Sequence, residues 1–300
     1  MSHKVSMCLY DFQSKLGDKA AIDTVREIGA DGIDYSLYVH DVRKEGDLYT
    51  LGRDAVIEYY TELKRYADES GVIISQTHGR LHDFGVVPEE NEAFIKNSEL
   101  DMLATGILGA KYCVVHTPAI NWIGDEKTPD EMFDIYTNMF SSILSYAKEA
   151  GVKIAAETHG NSRKYLKTEF FGHTENLVLG CDKIKNNYDF GDSLCVCVDT
   201  GHTNMTTRYG NRSVGDAIRM LGNRVEALHL HDNDGINDQH KIPMTGTIDW
   251  ADVFAALSEI GYSGWYNLEN TATHFGRGFA LEEAKFSIKV LRHMIKTYLG

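Results

Sequence analysis

The chain has 300 residues, of which 43% are hydrophobic and 25% are charged, as in an ordinary globular protein. Its formal net charge is −14, and an acidic surface repels a phosphate backbone, so no binding to nucleic acid is expected. No apolar stretch is long enough to span a membrane, and the N-terminus lacks the apolar core of a signal peptide. The five cysteines form no Cys-x-x-Cys pair, which predicts reduced thiols and a cytoplasmic protein.

Short apolar segments alternate with amphipathic segments along the chain, and a glycine often separates a helix from the next strand. We predict strands over Val5–Tyr10, Gly32–Ser36, Val72–Thr77, Tyr112–His116, Lys153–Glu157, Leu194–Asp199, Val225–His231 and Trp265–Glu269. The clearest helices are predicted over Arg53–Glu69, Glu89–Leu108, Asp130–Ala150 and Leu281–Tyr298. No linker marks a domain boundary, so we predict an α/β protein with a single (β/α)8 TIM barrel over residues 1–300.

Three of the predicted strands end in a carboxylate, namely Glu157, Asp199 and Glu269. Parallel barrel strands converge on one mouth, where three such charges would lie close together and repel one another. A divalent cation resolves that repulsion. Capping of the following helix explains any one of these residues equally well, but a metal site explains the three together better.

Histidines accompany these carboxylates in the sequence. His202 follows Asp199 by three residues, and His229 and His231 alternate along the seventh strand, so their side chains share one face. Oxygen and nitrogen ligands without thiolate argue against a structural zinc. These ligand types suit Mn²⁺, Mg²⁺, Co²⁺ and Zn²⁺ alike and do not choose among them. We adopt one divalent metal ion as the expected cofactor, with Mn²⁺ first and the other three as alternatives.

Further polar and aromatic residues follow the predicted strands and are candidates for substrate contacts. They are His78, His82, His116, Trp122, Asp238, His240 and Arg277. For each histidine after strands three and four, a packed position in the protein and a place in the site are equally good explanations. Trp122 suits either the wall of a sugar site or a surface anchor, and Arg277 either holds an anionic group or is solvated.

Glu157 and Glu269 are expected on opposite walls of the mouth, an arrangement that suits proton transfer. A metal that chelates a carbonyl and its neighbouring hydroxyl acidifies the adjacent C–H, so one carboxylate removes the proton and the other returns it. This enediolate chemistry predicts an isomerase or epimerase, or a lyase where a β-leaving group is present. The P-loop, the GxSxG elbow and the GxGxxG fingerprint do not occur, so the corresponding chemistries are poorly supported.

Several segments resemble the xylose isomerase-like barrel superfamily, and within it the sugar phosphate isomerase/epimerase group with its ketose 3-epimerases and inosose dehydratases. They are Thr77–Gly79, Ile154–Glu157, Leu194–His202, Val225–Asp234, Pro243–Trp250 and Tyr262–Glu269. One departure is the segment from Pro243 to Gly246, Pro-Met-Thr-Gly, which stands where the family usually has Pro-Gly-x-Gly. This departure leaves the choice of substrate more open.

The resemblance implies a metal ligand set and roles for its members. It implies one ion held by Glu157, Asp199, a histidine of the seventh strand and Glu269, with the two glutamates as acid and base. His202 would contact the substrate. For the strand-seven ligand, His231 fits the ketose epimerase pattern, which we adopt, and His229 is the alternative that fits an endonuclease pattern. The expected partner is a small sugar, sugar phosphate or cyclitol, and a homo-oligomer is left open.

The same superfamily leaves two other activities open. Dehydratases and C-glycoside-cleaving subunits use the same metal and bases to eliminate rather than isomerise. An endonuclease that cleaves DNA at abasic sites has a trinuclear zinc cluster, whose ligands are matched here by His78, His116, Glu157, Asp199, His202, His229, Asp238, His240 and Glu269. The net charge of −14 and the lack of basic DNA-binding loops weigh against this second alternative.

Overall fold

The computed structural model describes residues 3–81 and 84–300, so His82 lies outside the described residues. The barrel strands, β1 to β8, are Val5–Cys8, Gly32–Ser36, Ile73–His78, Tyr112–His116, Lys153–Glu157, Leu194–Asp199, Val225–His229 and Tyr266–Leu268. From β1 to β7 each strand pairs in parallel with the next, and β1 also pairs in parallel with β8. A single parallel bridge between Leu230 and Leu268 joins the end of β7 to β8. These contacts close the sheet and confirm the predicted (β/α)8 barrel.

The observed strand ends agree closely with the predicted ones. Four strands, β2, β4, β5 and β6, have the predicted bounds, and the others differ by one or two residues at an end. The difference that concerns the site is in β7, which ends at His229 and not at His231. Beyond this point Asp232 and Lys241 exchange backbone hydrogen bonds of 2.9 and 2.8 Å, which turn the chain into a loop.

Helices cover the outside of the barrel. The α-helices, α1 to α12, are Tyr10–Leu16, Asp18–Ile28, Arg53–Glu69, Pro88–Ile107, Ile120–Ile123, Pro129–Ser141, Leu144–Ala150, Thr174–Asn187, Thr200–Thr206, Val214–Leu221, Trp250–Glu259 and Ala280–Tyr298. Short 3-10 helices occupy Leu48–Leu51, Phe170–Gly172, Gly191–Ser193, Thr207–Tyr209, Gly222–Arg224 and Arg277–Phe279. Within the described residues, no helix has both the length and the apolar character needed to cross a membrane.

The single helix predicted over Asp130–Ala150 is wrong. Helix α6 ends at Ser141, and α7 begins only at Leu144. Ser142 donates its hydroxyl to the Met139 carbonyl at 2.7 Å. A hydroxyl bonded to the backbone of the preceding turn competes with the helical ladder, which explains a break that the apolar pattern does not reveal.

Inward-facing residues differ between the two halves of the barrel. In the apolar half, β4 to β7 contribute a cluster that is separate from the larger core beneath the helices, formed by Val114, Ala155, Cys195, Cys197 and Ala227. In the polar half, β8 and β1 to β3 contribute the buried side chains of Ser6, Asp34, Gln76 and Asn267. Because side chains alternate along a strand, the next inward position on most of these strands lies at the C-terminal mouth.

Candidate active site

Four residues that are suitable metal ligands meet at the mouth of the barrel, namely Glu157, Asp199, His229 and Glu269. The first three are the last residues of β5, β6 and β7, and Glu269 directly follows β8. One ligand atom from each lies within 4.8 Å of the others, and Glu157, Asp199 and His229 are buried. The parallel register of the strands thus brings together side chains that are distant in the sequence.

Two carboxylate oxygens of this group are buried without a hydrogen bond. His229 Nδ1 lies 3.0 Å from Glu157 Oε1 and 3.2 Å from Glu269 Oε2. In the part of the chain that the structure describes, Glu157 Oε2 and Glu269 Oε2 nevertheless form no aligned hydrogen bond. Carboxylate and imidazole atoms that converge in this way are suitable ligands for a divalent ion, so the residues present fit a metal.

His231 lies beside this group but does not belong to it. Its Nε2 atom is 3.0 Å from Asp199, and its ring stacks on His240 with the centroids 4.0 Å apart. It forms a separate group of ligand atoms with His240 and Glu269. A Cβ atom at Gly201 would clash with the His231 ring, so the glycine of the Asp-Thr-Gly-His segment makes room for this histidine.

Two further groups of histidines and carboxylates flank the first. His78 and His116 meet Glu157, with His116 Nε2 at 3.0 Å and His78 Nε2 at 3.5 Å from Glu157 Oε2. On the other side, Asp238 lies 3.5 Å from His202 and 3.2 Å from His240. The structure therefore gathers these five candidates from the sequence at one mouth.

The charges in the site are tightly coupled. Burial acts to raise the pKa values of Glu157 and Glu269, but neighbouring histidines hold both pKa values well below their ordinary range. Burial acts to lower the pKa of His202, yet two nearby aspartates raise it well above its ordinary value. Against the same effect of burial, Asp238 raises the pKa of His240 to about 10. A cation would therefore find Glu157 and Glu269 already ionised and would compete with protons held by the histidines.

A cleft of about 600 Å³ opens beside these groups. The histidine side of the cleft is formed by His116, His159, His202 and Asp238, and the outer side includes Trp122, Arg163, Leu166, Arg208, Tyr209 and Ile236. Trp122 thus lines the cleft, with 60% of its surface exposed. Arg277 is exposed in the 3-10 helix that follows β8 and is not among the residues that line this cleft.

A buried glutamate fixes the segment that carries Trp122. Glu169 accepts hydrogen bonds from the backbone N–H groups of Ile120 and Asn121 at 2.5 and 3.1 Å. Burial raises the pKa of Glu169 to about 7. Asn121 in turn accepts a hydrogen bond of 3.0 Å from Ser162, which joins α5 to the hairpin formed by residues 161–168. The outer wall of the cleft is therefore held together by hydrogen bonds.

Three residues of this region were not expected from the sequence. Arg163 and Arg208 stand far apart in the chain and line the cleft together, a proximity that only the fold reveals. Asp34 is fully buried in β2, and its carboxylate faces His229 at 3.0 Å. A charged residue in the middle of an apolar strand is costly unless paired, which is a signal that could have identified Asp34.

The fold and the site define a (β/α)8 barrel with carboxylate and imidazole side chains gathered at its C-terminal mouth. Residues 22–294 match the family described as xylose isomerase-like TIM barrel, and the chain belongs to this family. The resemblance recognised in the sequence is thereby confirmed. A D-psicose 3-epimerase of Enterocloster bolteae is 24% identical over 246 residues, which cover 77% of this chain and 75% of the relative.

Solved structures support the same fold. A D-tagatose 3-epimerase-like protein superposes with a TM-score of 0.72 at 21% identity, covering 99% of this chain and 98% of the other. The IOLI protein, solved with a zinc atom bound, superposes with a TM-score of 0.72 at 16% identity, covering 98% and 99% of the two chains. At these identities, the similarity establishes the architecture of the barrel.

Proposed function

We propose that the chain is a metal-dependent sugar isomerase or epimerase that works by proton transfer. The observation that carries this proposal is the group of four ligand atoms, from Glu157, Asp199, His229 and Glu269, within 4.8 Å of one another. The similarity to a D-psicose 3-epimerase supports the same reaction class. We propose Mn²⁺ as the bound ion, with Mg²⁺, Co²⁺ and Zn²⁺ as alternatives, since all four accept oxygen and nitrogen ligands.

We propose His229, rather than His231, as the histidine ligand. Only His229 joins the three carboxylates in the group of four, and its Nδ1 atom lies between Glu157 and Glu269. His231 lies next to Asp199 and stacks on His240. We propose that it holds these two side chains in place and does not bind the ion. This choice adopts the alternative that the sequence left open.

Each residue of the site has its own proposed role in the reaction. A bound divalent ion would supply Lewis acidity toward a carbonyl and a neighbouring hydroxyl. We propose that one of Glu157 and Glu269 removes the proton of the carbon between them and that the other carboxylate returns a proton. Return to the opposite face of the same carbon is epimerisation, and return to the neighbouring carbon is isomerisation. His202 and Asp238 line the cleft and would hydrogen-bond substrate hydroxyls.

The outer wall of the cleft favours a sugar with an anionic substituent such as a phosphate. Arg163 and Arg208 line the cleft, and neither forms an ion pair with a carboxylate among the described residues. A guanidinium group binds phosphate or carboxylate oxygens through two parallel hydrogen bonds. Trp122 in the same wall offers an apolar face for the sugar ring.

Interconversion of ketose epimers tests the proposed function. Ketoses, ketose phosphates and inososes would be incubated with the Mn²⁺-loaded protein and with protein stripped by EDTA, and the products would be identified by NMR. We expect one substrate class to be converted only with metal present. Conversion that is unaffected by EDTA would contradict metal dependence, and elimination products would reassign the chain to the lyases.

A second candidate function is metal-dependent cleavage of abasic DNA. It is favoured by one observation, the two further groups of ligand atoms, His78–His116–Glu157 and His202–Asp238–His240, on either side of the first. The net charge of −14 opposes it, because DNA affinity depends on neutralising phosphates. Three bound ions per chain together with cleavage of an abasic oligonucleotide would favour this function over the first.

We also propose that the protein works in a reducing compartment such as the cytoplasm. All five cysteines are free thiols, and Cys113, Cys181, Cys195 and Cys197 are buried. Burial raises the pKa of Cys113 and Cys197 to about 12, so these thiols pack as small apolar groups and are protected from oxidation.

A further inference from the structure

We infer that Asp34 is a positioning residue for the metal site, because it fixes the tautomer and the orientation of His229 so that Nδ1 faces the ion. This inference rests on the proposed function, since it concerns the same metal. It adds a residue that lies beneath the ligands and touches neither the ion nor the substrate.

The hydrogen bonds of the Asp34 side chain all fall on Oδ2, whereas Oδ1 is buried without a partner among the described residues. Asp34 Oδ2 lies 3.0 Å from His229 Nε2, and it accepts hydrogen bonds from Gln76 Nε2 at 2.9 Å and Asn267 Nδ2 at 2.8 Å. Asp34 and His229 are fully buried. Neighbours on three different strands thus converge on one carboxylate oxygen below the mouth of the barrel.

The surrounding groups determine which atoms donate. A carboxylate oxygen accepts hydrogen bonds, so the atom of Asn267 that faces Asp34 is the amide nitrogen, and Asn267 Oδ1 then accepts from the Ser6 hydroxyl at 2.8 Å. Gln76 Nε2 lies between Asp34 and the Leu228 carbonyl, both of which are acceptors. Donors therefore surround Asp34 Oδ2, and this oxygen acts as an acceptor toward His229 as well.

The tautomer of His229 follows from this arrangement. Both ring nitrogens of His229 face carboxylates, since Nε2 lies 3.0 Å from Asp34 and Nδ1 lies 3.0 and 3.2 Å from Glu157 and Glu269. An ion bound by Glu157 and Glu269 would take the place of a proton on Nδ1, whereas the Nε2–H that donates to Asp34 would remain. The opposite tautomer would place an Nε2 lone pair against the Asp34 carboxylate, which is repulsive. A carboxylate that accepts from the second ring nitrogen also makes the histidine a stronger ligand, and losing it typically weakens metal binding 10–100-fold.

The direct test is the Zn²⁺ affinity of the Asp34→Asn variant, measured by competition with a chelating dye. The amide keeps the size of the side chain but loses the charge, so we expect the dissociation constant to rise about 10–100-fold. Glu283→Gln is the matched control, because Glu283 is also a buried carboxylate paired with a histidine, His274 at 2.7 Å, outside the ligand group. Its Zn²⁺ affinity should stay at the wild-type value.

The nitrogen chemical shifts of the zinc-loaded wild-type protein provide a readout that a purely structural role would not produce. We expect the ¹⁵N signals of His229 to report a protonated Nε2 and a coordinated Nδ1, with assignment by His229→Gln. Coordination through Nε2 would overturn the inference, as would an Asp34→Asn variant that is folded by circular dichroism and binds Zn²⁺ like the wild type.

A milder substitution, Gln76→Met, tests the inference if the Asp34→Asn variant does not fold. Gln76→Met removes one donor to Asp34 and keeps the carboxylate, so we expect less than a tenfold loss of Zn²⁺ affinity with the Nδ1 coordination retained. A switch to Nε2 coordination in this variant would be contrary to the inference. If the wild-type protein bound no Zn²⁺ at all, the proposed function itself would fail, which is distinct from equal binding by wild type and variant.

Discussion

In the apolar half of the barrel interior, the proposed metal ligands are supported by packing, whereas the polar half provides support through hydrogen bonds. Below Glu157, Asp199 and His229, the inward positions of β5, β6 and β7 carry Ala155, Cys197 and Ala227. Across the barrel, four polar side chains on β8 and β1 to β3 form a connected chain from Ser6 through Asn267 and Asp34 to Gln76.

This difference between packing and hydrogen bonding indicates that the two halves of the barrel interior have different roles. A packed apolar layer holds strand ends at fixed positions but leaves the chemical state of a ligand undetermined. A buried polar network is stable only when its members are satisfied, and it can then fix protonation and orientation. In this barrel the apolar half supplies three of the four proposed ligands, and the polar half sets the state of one of them.

The largest effect is expected for the two proposed bases, Glu157 in the apolar half and Glu269 in the polar half. Glu157→Gln and Glu269→Gln each remove a carboxylate that can accept a proton, so we expect turnover to fall by about 10²–10⁴-fold at saturating Mn²⁺. Initial rates measured by NMR check this. Turnover near the wild-type rate in either variant would refute the scheme of two bases.

The second-largest effect should distinguish the roles of His229, at the end of β7, and His231, just beyond it. His229→Ala removes a proposed ligand, so we expect the protein to lose its metal on dialysis. His231→Ala should retain about one ion per chain, because His231 lies outside the group of four. Metal content by mass spectrometry checks both variants. Metal lost only from His231→Ala would reverse the assignment.

A smaller effect should distinguish packing from hydrogen bonding. Val114→Ala removes two methyl groups from the apolar half, so we expect the free energy of unfolding to fall by roughly 2 kcal/mol. Zn²⁺ affinity should stay unchanged, in contrast to Asp34→Asn. Urea unfolding and dye competition measure the two quantities. A large loss of Zn²⁺ affinity in Val114→Ala would argue against the division between the halves.

The smallest effect is expected at the outer wall of the cleft. Arg163→Ala or Arg208→Ala should raise KM for a phosphorylated sugar about tenfold, since each removes one charge-assisted contact. The KM for an unphosphorylated analogue should not change. Lys164→Ala is the matched control, because Lys164 is exposed on the same hairpin and is not among the residues that line the cleft. Equal KM values for both sugars in all variants would exclude a phosphate subsite.

The strand ends of the apolar half were predictable because a short apolar run that ends in a charge is a strong local signal. The bounds of β4, β5 and β6 agree with the prediction to the residue. The end of β7 was less predictable, since His229 and His231 alternate alike in the sequence. Only the turn after β7 places one of them among the carboxylates.

The polar half was harder to predict. Asp34, Gln76 and Asn267 stand on three strands, and the sequence shows no relation between them. Asp34 and Gln76 are partners on the neighbouring strands β2 and β3, whereas the contact of Asp34 with Asn267 depends on the closure of β8 onto β1. Arg163 and Arg208 share a cleft for a similar reason. Spacing along the chain reveals contacts within an element, whereas these contacts are formed across the barrel and between loops.

Incorporation of solvent deuterium into substrate is the decisive test of metal-dependent proton transfer at this site. Ketoses, ketose phosphates and inososes would be incubated in D₂O with Mn²⁺-loaded protein, with EDTA-treated protein and with the Glu269→Gln variant. We expect exchange at a single carbon, only with metal and only with both glutamates intact. Conversion of substrate without any exchange of carbon-bound hydrogen with solvent, or exchange that persists with EDTA, would contradict metal-dependent proton transfer at this site.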